Sequence, residues 1–410
     1  MLHKSGTGGF HHTGLNFMFL QGLLNLPWWG DLIALLILVQ ITIAGVTLYL
    51  HRCQAHRALD LHPIVTHFFR FWLWLTTGMI TKEWAAIHRK HHAKCETAED
   101  PHSPQVLGIK RVLFGGVMLY VKESHNPETA QRYGHGTPDD WLERHIYTPR
   151  HKWGILVMAL INITLFGVVP GLLMFGIQMA WIPFWAAGVI NGAGHFWGYR
   201  KFQTQDASTN LTPIALWIGG EELHNNHHAF PTSAKFSVQW YEFDIGWLYI
   251  RVLSALGLAH PKKLPPMVKL DEAKSEVDAA TVQAIATNRY EVLARYAKSM
   301  KTAWNEEVAR LRERQLLADS TAASRLRQWV TRGNAQSPAE KAAVEQALAS
   351  SPRLATLYRM REELARVWER STLSSDQLVH QLKDWCDRAE ASGIEALAEF
   401  SRRLRRYAPA

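Results

Sequence analysis

Cysteine is scarce in this sequence, and so are the motifs that depend on it. The 410 residues include three cysteines, Cys53, Cys95 and Cys386, and their spacing fits neither a disulfide framework nor a thiolate zinc site. A cysteine-ligated iron–sulfur cluster is excluded for the same reason, and no flavin-binding fingerprint occurs. The chain therefore fits a reducing compartment, and any redox chemistry would need electrons from another protein.

Charge is nearly absent from long stretches of the first 258 residues. Residues 28–50 contain one charged side chain, Asp31, and are long enough to cross a hydrocarbon core of about 30 Å as a helix. Residues 153–175 and 177–197 are two more apolar stretches, separated by Gly176, and we expect a hairpin that returns to its starting face. Basic residues mostly flank these stretches, so the net charge of +9 indicates a membrane surface and not nucleic acid.

A further apolar stretch, 62–82, contains two histidines and an arginine, which would be costly facing lipid at depth. If this stretch crossed the membrane, histidine motifs before and after it would lie on opposite faces. We therefore predict that 62–82 lies along the interface or dips in and returns, and that 106–121 and 238–258 are interfacial as well. Residues 15–26 are too short to span alone and could form half of a tight hairpin.

The composition changes near residue 266, which predicts two domains. Residues 1–262 are apolar and rich in aromatics, whereas 266–410 show a helical pattern of mixed charge, with breakers at Gly333-Asn334 and Ser351-Pro352. The predicted fold is an all-α integral membrane protein with three to four transmembrane helices, interfacial helices and a cytoplasmic histidine-rich cap. Residues 266–410 are expected to be a soluble helical extension, and membrane or partner binding by their basic last turn is the alternative.

Histidine is abundant, with 21 residues, and its arrangement predicts a metal site. Two triples have the spacing i, i+3, i+4, which places three imidazoles on one helical face. One pair is five residues apart, about 140° around an α-helix, so we expect the helix to fray there. The candidate ligands are His51, His56, His88, His91, His92, His195, His224, His227 and His228.

The pair, the two triples and His195 can meet at one membrane face. Nine imidazoles are too many for one metal ion and suit two. Imidazole binds iron, zinc, copper and nickel, so nitrogen ligation alone does not identify the metal. We interpret the isolated histidines elsewhere in the chain as surface or hydrogen-bonded residues.

The motifs resemble those of the membrane fatty acid desaturases, and among them the bacterial form of the stearoyl-CoA (delta-9) branch, over about residues 25–260. HRCQAH (51–56) resembles the first histidine box, EWAAIHRKHHAKCETAEDPHSP (83–104) the second and GGEELHNNHHAFP (219–231) the third. The element from Asn191 to His195 is similar to one in which the histidine is a ninth ligand and the asparagine holds a metal-bound water. No catalytic residue beyond the metal ligands is implied.

This resemblance implies two iron ions and O2 as cosubstrate, for delta-9 desaturation of a long saturated acyl chain in unsaturated fatty acid biosynthesis. The substrate is expected to be an acyl-CoA thioester, with a phospholipid acyl chain as the alternative. Two electrons would come from a ferredoxin-like or cytochrome-type carrier with an NAD(P)H reductase. The expected location is the bacterial inner membrane, with the site facing the cytoplasm and no nucleic-acid partner.

Two other functions compete with desaturation. An acyl or alkane hydroxylase could share the same scaffold and place oxygen on the carbon chain. A non-catalytic metal-binding membrane protein is the alternative from another class, although transporters usually place ionisable ligands near the middle of the bilayer. The tail from about residue 266 shows a partial resemblance to the C-terminal part of some insertion-sequence transposases, and we assign it no enzymatic role.

Overall fold

Two apolar stretches of the chain form helices long enough to cross a bilayer. The structure is a computed structural model that describes residues 21–313, 345, 348–367 and 373–409. Within these residues, the two long apolar helices are Trp28–Ala55 and Val168–Ala193, each above the ~20 residues that a span requires. Shorter apolar helices cover His151–Phe166 and Ile245–Ala255. Half of the stretch 15–26, residues 15–20, lies outside the described residues, so the prediction of a tight hairpin there stays a prediction.

The chain divides into two compact units. The first comprises Met1–Tyr199 and Asp206–Pro265, and the second comprises Arg200–Gln205 and Pro266–Ala410. The second unit thus begins near the residue at which the composition changes, and it also takes in a short segment from the apolar half of the sequence.

The first unit is mostly helical, and its described residues also form two short two-stranded pairings and one isolated bridge, between Tyr199 and Asn210. Its helices are α1 (Trp28–Ala44), α2 (Pro63–Thr76), α3 (Thr81–Lys94), α4 (Pro104–Leu107), α5 (Ile109–Ser124), α6 (Pro127–Tyr133), α7 (His151–Phe166), α8 (Val168–Ile182), α9 (His224–Ala229) and α10 (Ile245–Ala255). Three π-helical segments are π1 (Gly45–Ala55), π2 (Glu143–Tyr147) and π3 (Pro183–Ala193). The strands are β1 (Leu59–Leu61), β2 (Ile214–Ala215), β3 (Phe243–Asp244) and β4 (Ala259–Pro261), with β1 antiparallel to β4 and β2 parallel to β3.

The hairpin of α7 and α8 turns at Gly167, so the predicted break at Gly176 is wrong. Gly167 has φ of +93° and ψ of 169°, a conformation that residues with a Cβ rarely adopt. Pro170 follows in the first turn of α8, where a missing amide proton costs nothing. Gly176 lies inside α8 and does not interrupt it.

Close backbone contact joins α5 to π3. A Cβ added at Gly116 would lie 2.2 Å from the carbonyl oxygen of Ala187, and one at Gly188 would lie 2.4 Å from that of Leu113. A Cβ at the neighbouring Gly115 would meet nothing within 4 Å. Small residues that let two helical backbones touch are typical of packing between membrane helices.

The stretch 62–82 does not form one continuous helix. α2 has 14 residues, which is about 21 Å of helix and less than a hydrocarbon core, and the chain then turns at Gly78, where φ is +63°. Arg70 of α2 points into the protein, where its guanidinium donates to Asp140 at 2.7 Å and to Glu143 at 3.2 Å. The positive charge of Arg70, which would be costly if it faced lipid, is therefore paired and buried.

Large apolar side chains are exposed along the long helices. Such a surface is far larger than isolated exposed residues on a water-soluble protein would give, and it supports membrane association. On α1, α7 and α8 the exposed residues include Leu32, Ile33, Leu36, Ile37, Leu156, Leu160, Leu172 and Leu173.

The second unit is a helical bundle with its own apolar core. Its elements are β5 (Val268–Leu270), α11 (Ala279–Thr287), α12 (Arg289–Glu313), α13 (Pro352–Arg366), α14 (Ser375–Ala391), α15 (Glu395–Arg405) and β6 (Tyr407–Pro409). Trp385 lies in the core, 1% exposed, and donates to the Met360 carbonyl at 2.7 Å. Ser351, which belongs to one of the two predicted helix breakers, is the N-cap of α13. The other predicted breaker, at residues 333–334, lies outside the described residues.

A capping box begins α11. The Asp278 carboxylate accepts from the Thr281 amide at 2.8 Å and the Thr281 hydroxyl caps in return, the reciprocal arrangement that stabilises a helix N-terminus. Burial works to raise the pKa of Asp278, but hydrogen bonds from Lys274 and Thr281 outweigh it and lower the pKa to about 2.

Candidate metal centre

The first histidine pair lies on a π-helix at the end of the first long helix. In π1 the amide of His56 donates to the carbonyl of His51 at 3.0 Å, the i to i+5 bond of this helix type. The two rings lie 4.9 Å apart between centroids. The expected fraying is therefore wrong, because a π-helix aligns residues five apart while it keeps its backbone hydrogen bonds.

The two histidine triples lie on α3 and α9, and their rings meet. His92 of α3 and His228 of α9 are stacked with centroids 4.4 Å apart. His88 lies 4.4 Å from His51 between centroids, which joins the second box to the first. The topology thus brings three segments that are far apart in sequence to one place.

The imidazoles form two adjacent groups. The five-histidine group, with potential ligand atoms within 4.8 Å of one another, consists of His51, His56, His88, His92 and His227. His91, His195 and His228 lie equally close to one another, together with Cys95, and His224 Nε2 lies 2.9 Å from His195 Nε2. We call His91, His195, His224 and His228 the four-histidine group.

The Nε2 atoms converge in pairs. The separations are 2.8 Å for His56 and His88, 2.9 Å for His92 and His227, and 3.1 Å for His51 and His227. Nitrogens bound to one metal ion at about 2.1 Å and at right angles would be about 3 Å apart. The spacing therefore fits shared coordination.

Four carboxylates contact the opposite side of these rings. An imidazole that donates its Nδ1 proton to a carboxylate keeps a lone pair on Nε2, which is the orientation that metal-binding histidines need. The Nδ1-to-oxygen pairs are His51 with Glu221 at 2.7 Å, His91 with Asp100 at 3.0 Å, His195 with Glu96 at 3.3 Å and His228 with Asp206 at 2.9 Å.

Removal from water keeps most of the imidazoles neutral. It is the main reason that the pKa of His228 falls to about 4, although Asp206 acts in the opposite direction. Burial, reinforced by neighbouring imidazoles, holds the pKa well below the usual value for His56, His88, His92, His224 and His227. Neutral imidazole is the form that binds metal.

The carboxylates differ in their electrostatics. Burial raises the pKa of Glu221 to about 8, against the lowering effects of Arg52 and the Thr47 hydroxyl. Burial also works to raise the pKa of Asp100, but the neighbouring His91 outweighs it and holds that pKa well below its usual value. His228 does the same for Asp206.

One orphaned buried nitrogen supports a metal ion at the four-histidine group. Within the described part of the chain, His228 Nε2 is buried without a hydrogen-bond partner, and so are the Nδ1 atoms of His224 and His227. A buried polar atom without a partner costs about 1–3 kcal/mol, and a metal ion at the four-histidine group would satisfy His228 Nε2. The donor set, nine imidazoles in two groups, fits two metal ions.

Asn191 makes no side-chain hydrogen bond to any of the nine histidines. It lies half-buried in π3, one turn before His195, and its side chain makes no hydrogen bond to any described residue. A role through a metal-bound water stays a prediction.

The sequence did not predict any of the four carboxylates as a partner of the histidines, and it did not predict His102 as their neighbour, although Asp100 and His102 lie within the second-box motif. Glu96 and Glu221 stand next to histidine boxes in the sequence, which could have indicated them, whereas nothing near Asp206 does. His102 is buried and stacks on His91 with centroids 4.4 Å apart.

Comparison with known proteins agrees with this site. A sequence-family model described as fatty acid desaturase matches residues 26–256, a range that contains all nine histidines. The chain belongs to the fatty acid desaturase family. This confirms the resemblance to the membrane fatty acid desaturases drawn from the histidine boxes.

Individual desaturases show how far the similarity extends. The chain is 32% identical to the icosanoyl-CoA 5-desaturase of Limnanthes douglasii, over 57% of this chain and 65% of that protein, so it spans under two thirds of this relative. It is 31% identical to the sn-1 stearoyl-lipid 9-desaturase of Synechocystis, over 54% of this chain and 68% of that one. For the delta-9 acyl-lipid desaturase 1 of Arabidopsis thaliana the identity is 29%, over 61% and 81%.

The second unit of the chain matches a different family. A model described as transposase matches residues 275–410, the same part of the chain that resembles insertion-sequence transposases. None of the nine histidines lies in this range, so the candidate metal centre belongs entirely to the desaturase match.

Proposed function

We propose that this protein is a di-iron desaturase that introduces a cis double bond at the delta-9 position of a long saturated acyl chain carried as a CoA thioester. The observation that carries the proposal is the pair of adjacent imidazole groups, to which residues at or just beyond the ends of the two long apolar helices contribute. The balanced reaction converts a CH2–CH2 unit, O2, two electrons and two protons into a CH=CH unit and two molecules of water. The electrons would come from a separate carrier protein and its NAD(P)H reductase.

Some residues of the site would bind the metal ions, and others orient the residues that bind them. The five-histidine and four-histidine groups would each hold one iron ion, and iron supplies the O2-dependent oxidising power that an unactivated C–H bond requires. Nitrogen ligation does not itself select iron, and family membership is what favours it. Glu96, Asp100, Asp206 and Glu221 fix the ring orientations, because each accepts an Nδ1 proton.

Arg89 supports the site through the backbone. This second-box residue donates to the carbonyl oxygens of Gln54 at 2.6 Å and Ala55 at 2.8 Å, next to His56, and to those of Tyr133 and His135, both at 2.7 Å. A single guanidinium therefore joins the first box, the second box and the loop after α6. Such support is what holds a reacting geometry within the narrow limits that regioselective chemistry needs.

A lipid-linked acyl chain is the second candidate substrate. Two of the relatives described above are named for lipid-linked stearoyl or acyl chains and one for a CoA thioester. Basic residues flank the apolar helices and could pair with the phosphates of either head group. We place the reaction at the cytoplasmic face of a bacterial inner membrane, where CoA thioesters are made.

The test is expression in a host that lacks delta-9 unsaturated chains, with and without oxygen. We expect a delta-9 monoene only with the intact protein and only with oxygen, and none with His227→Ala. His125→Ala is the matched control, because His125 is exposed and, among the described residues, its ring bonds only the Val121 carbonyl.

Product analysis by mass spectrometry separates the alternatives. A hydroxylated chain would show a hydroxylase, and bound metal without O2 consumption in the presence of a working reductase would show a metal-binding protein without this catalysis. A pulse of labelled stearoyl-CoA in isolated membranes then identifies the head group. Label in oleoyl-CoA before oleoyl phospholipid supports the thioester, and the reverse order supports the lipid.

A further inference from the structure

The two imidazole groups differ in the carboxylates that support them. In the four-histidine group, three rings donate Nδ1 to a carboxylate: His91, His195 and His228. In the five-histidine group, the described structure shows such a contact for His51 alone. The two groups are thus alike in ligand type and unlike in charge.

Burial differs between the groups in the same direction. All four members of the four-histidine group are buried, whereas His56, His88 and His92 of the other group retain partial exposure. Buried and hydrogen-bonded rings lose less freedom when they bind an ion, because their orientation is already fixed.

The three carboxylates are themselves fixed by the backbone. Glu96 accepts from the amide of Ala207 at 2.7 Å, Asp206 accepts from that of Ser208 at 3.0 Å, and Asp100 accepts from that of Glu96 at 2.8 Å. Glu96 also adopts φ of +61°, a conformation that is costly for a residue with a Cβ and that clusters at functional sites.

We propose that the four-histidine group holds its metal ion more tightly than the five-histidine group, because Glu96, Asp100 and Asp206 act as positioning residues that orient its rings and balance the charge of the ion. Each partner of this kind changes metal affinity by about 10–100-fold, so a surplus of two exceeds the contribution expected from one additional, partly exposed imidazole. The inference rests on the proposed metal centre and not on the identity of the acyl substrate.

The experiment measures iron retention by the full-length protein in detergent. Purified protein is loaded with Fe2+ without oxygen and challenged with increasing chelator, and iron per chain is counted by mass spectrometry. We expect two irons in the wild type, one of which is lost at a chelator concentration at least about 10-fold below the other. His227→Ala should keep the tightly held iron, and His228→Ala should keep only the weakly held one.

The role of Glu96 is tested in both backgrounds. Glu96→Gln should lower retention about 10–100-fold in His227→Ala, where only the four-histidine group remains intact, and should leave retention unchanged in His228→Ala. Glu99→Gln is the matched control, because Glu99 is exposed and its one ion pair among the described residues is with Lys94. Asp206→Asn carries the same test if Glu96→Gln does not fold.

Either of two results would overturn the inference: tighter iron in His228→Ala than in His227→Ala, or an equal loss from Glu96→Gln in both backgrounds, which would mean a general structural role. A wild-type protein that binds no iron would instead overturn the proposed function. The two failures are therefore distinguishable.

Discussion

Asp244→Asn tests a buried ion pair that joins the first histidine box to the segment after the third. The Arg52 guanidinium lies 2.9 Å from the Asp244 carboxylate, and both side chains are 0% exposed. The same guanidinium donates to the carbonyl of Ala234 at 2.9 Å and lies 3.9 Å from the centroid of Phe236. Asparagine keeps the shape of the side chain and removes its charge.

The expected loss follows from leaving Arg52 charged and unpaired. Removing one partner of a buried pair costs about 3–5 kcal/mol. At about 2–4 °C per kcal/mol for a unit of this size, the midpoint of thermal unfolding in detergent should fall by about 6–20 °C. The control is Asp139→Asn, since Asp139 is 73% exposed and its partner Arg144 is 61% exposed, and such surface pairs contribute about 0–1 kcal/mol.

A second variant isolates the pair from other effects of the asparagine. Arg52→Met combined with Asp244→Asn removes both charges and should recover part of the lost stability, because no unpaired charge is left in the interior. If Asp244→Asn melts within 4 °C of the wild type, or if the double variant is less stable than Asp244→Asn, this account of the pair is wrong.

Three further predictions concern packing and capping. Gly116→Ala should destabilise the protein by about 1–3 kcal/mol through overpacking, with Gly115→Ala, which faces open space, unchanged in the same melting assay. Asp278→Ala should cost about 1 kcal/mol as a lost N-cap, read as faster amide exchange in α11. Because the pKa of Asp278 is lowered to about 2, this cap contributes above the unfolded pKa near 4, and the difference from Asp278→Ala should vanish as the pH falls through about 2. Trp385→Ala should destabilise the second unit by about 3–5 kcal/mol. The measurement is unfolding in denaturant, followed by hydrogen exchange of the backbone amides of that unit.

Local spacing made the histidines predictable. The triples at i, i+3 and i+4 need only a short helix to act together, and the apolar run at 28–50 had to end where His51 begins. The prediction that 62–82 does not separate the boxes depended on topology and on the cost of its charged side chains, and it stays a prediction. The 14 residues of α2 are fewer than the ~20 that a span requires.

Long-range contacts and backbone detail were not predictable in the same way. Glu96 and Asp206 are 99 and 22 residues away from the histidines that they contact, and carboxylates are common in any sequence. The turn at Gly167 depended on a positive φ that no apolar pattern reveals. The π-helix at 45–55 was missed because a helical wheel assumes 3.6 residues per turn.

The π-helix of the first box bears on how this motif tolerates insertions and deletions. His51 and His56 are aligned because each turn of π1 is joined by bonds between residues five apart. An α-helix aligns residues four apart equally well, so loss of one residue between the two histidines could be absorbed by a change of helix type. Gain of one residue could not, because neither helix aligns positions six apart. We therefore expect the two histidines to remain aligned when one residue between them is deleted, and to lose their alignment when one residue is inserted.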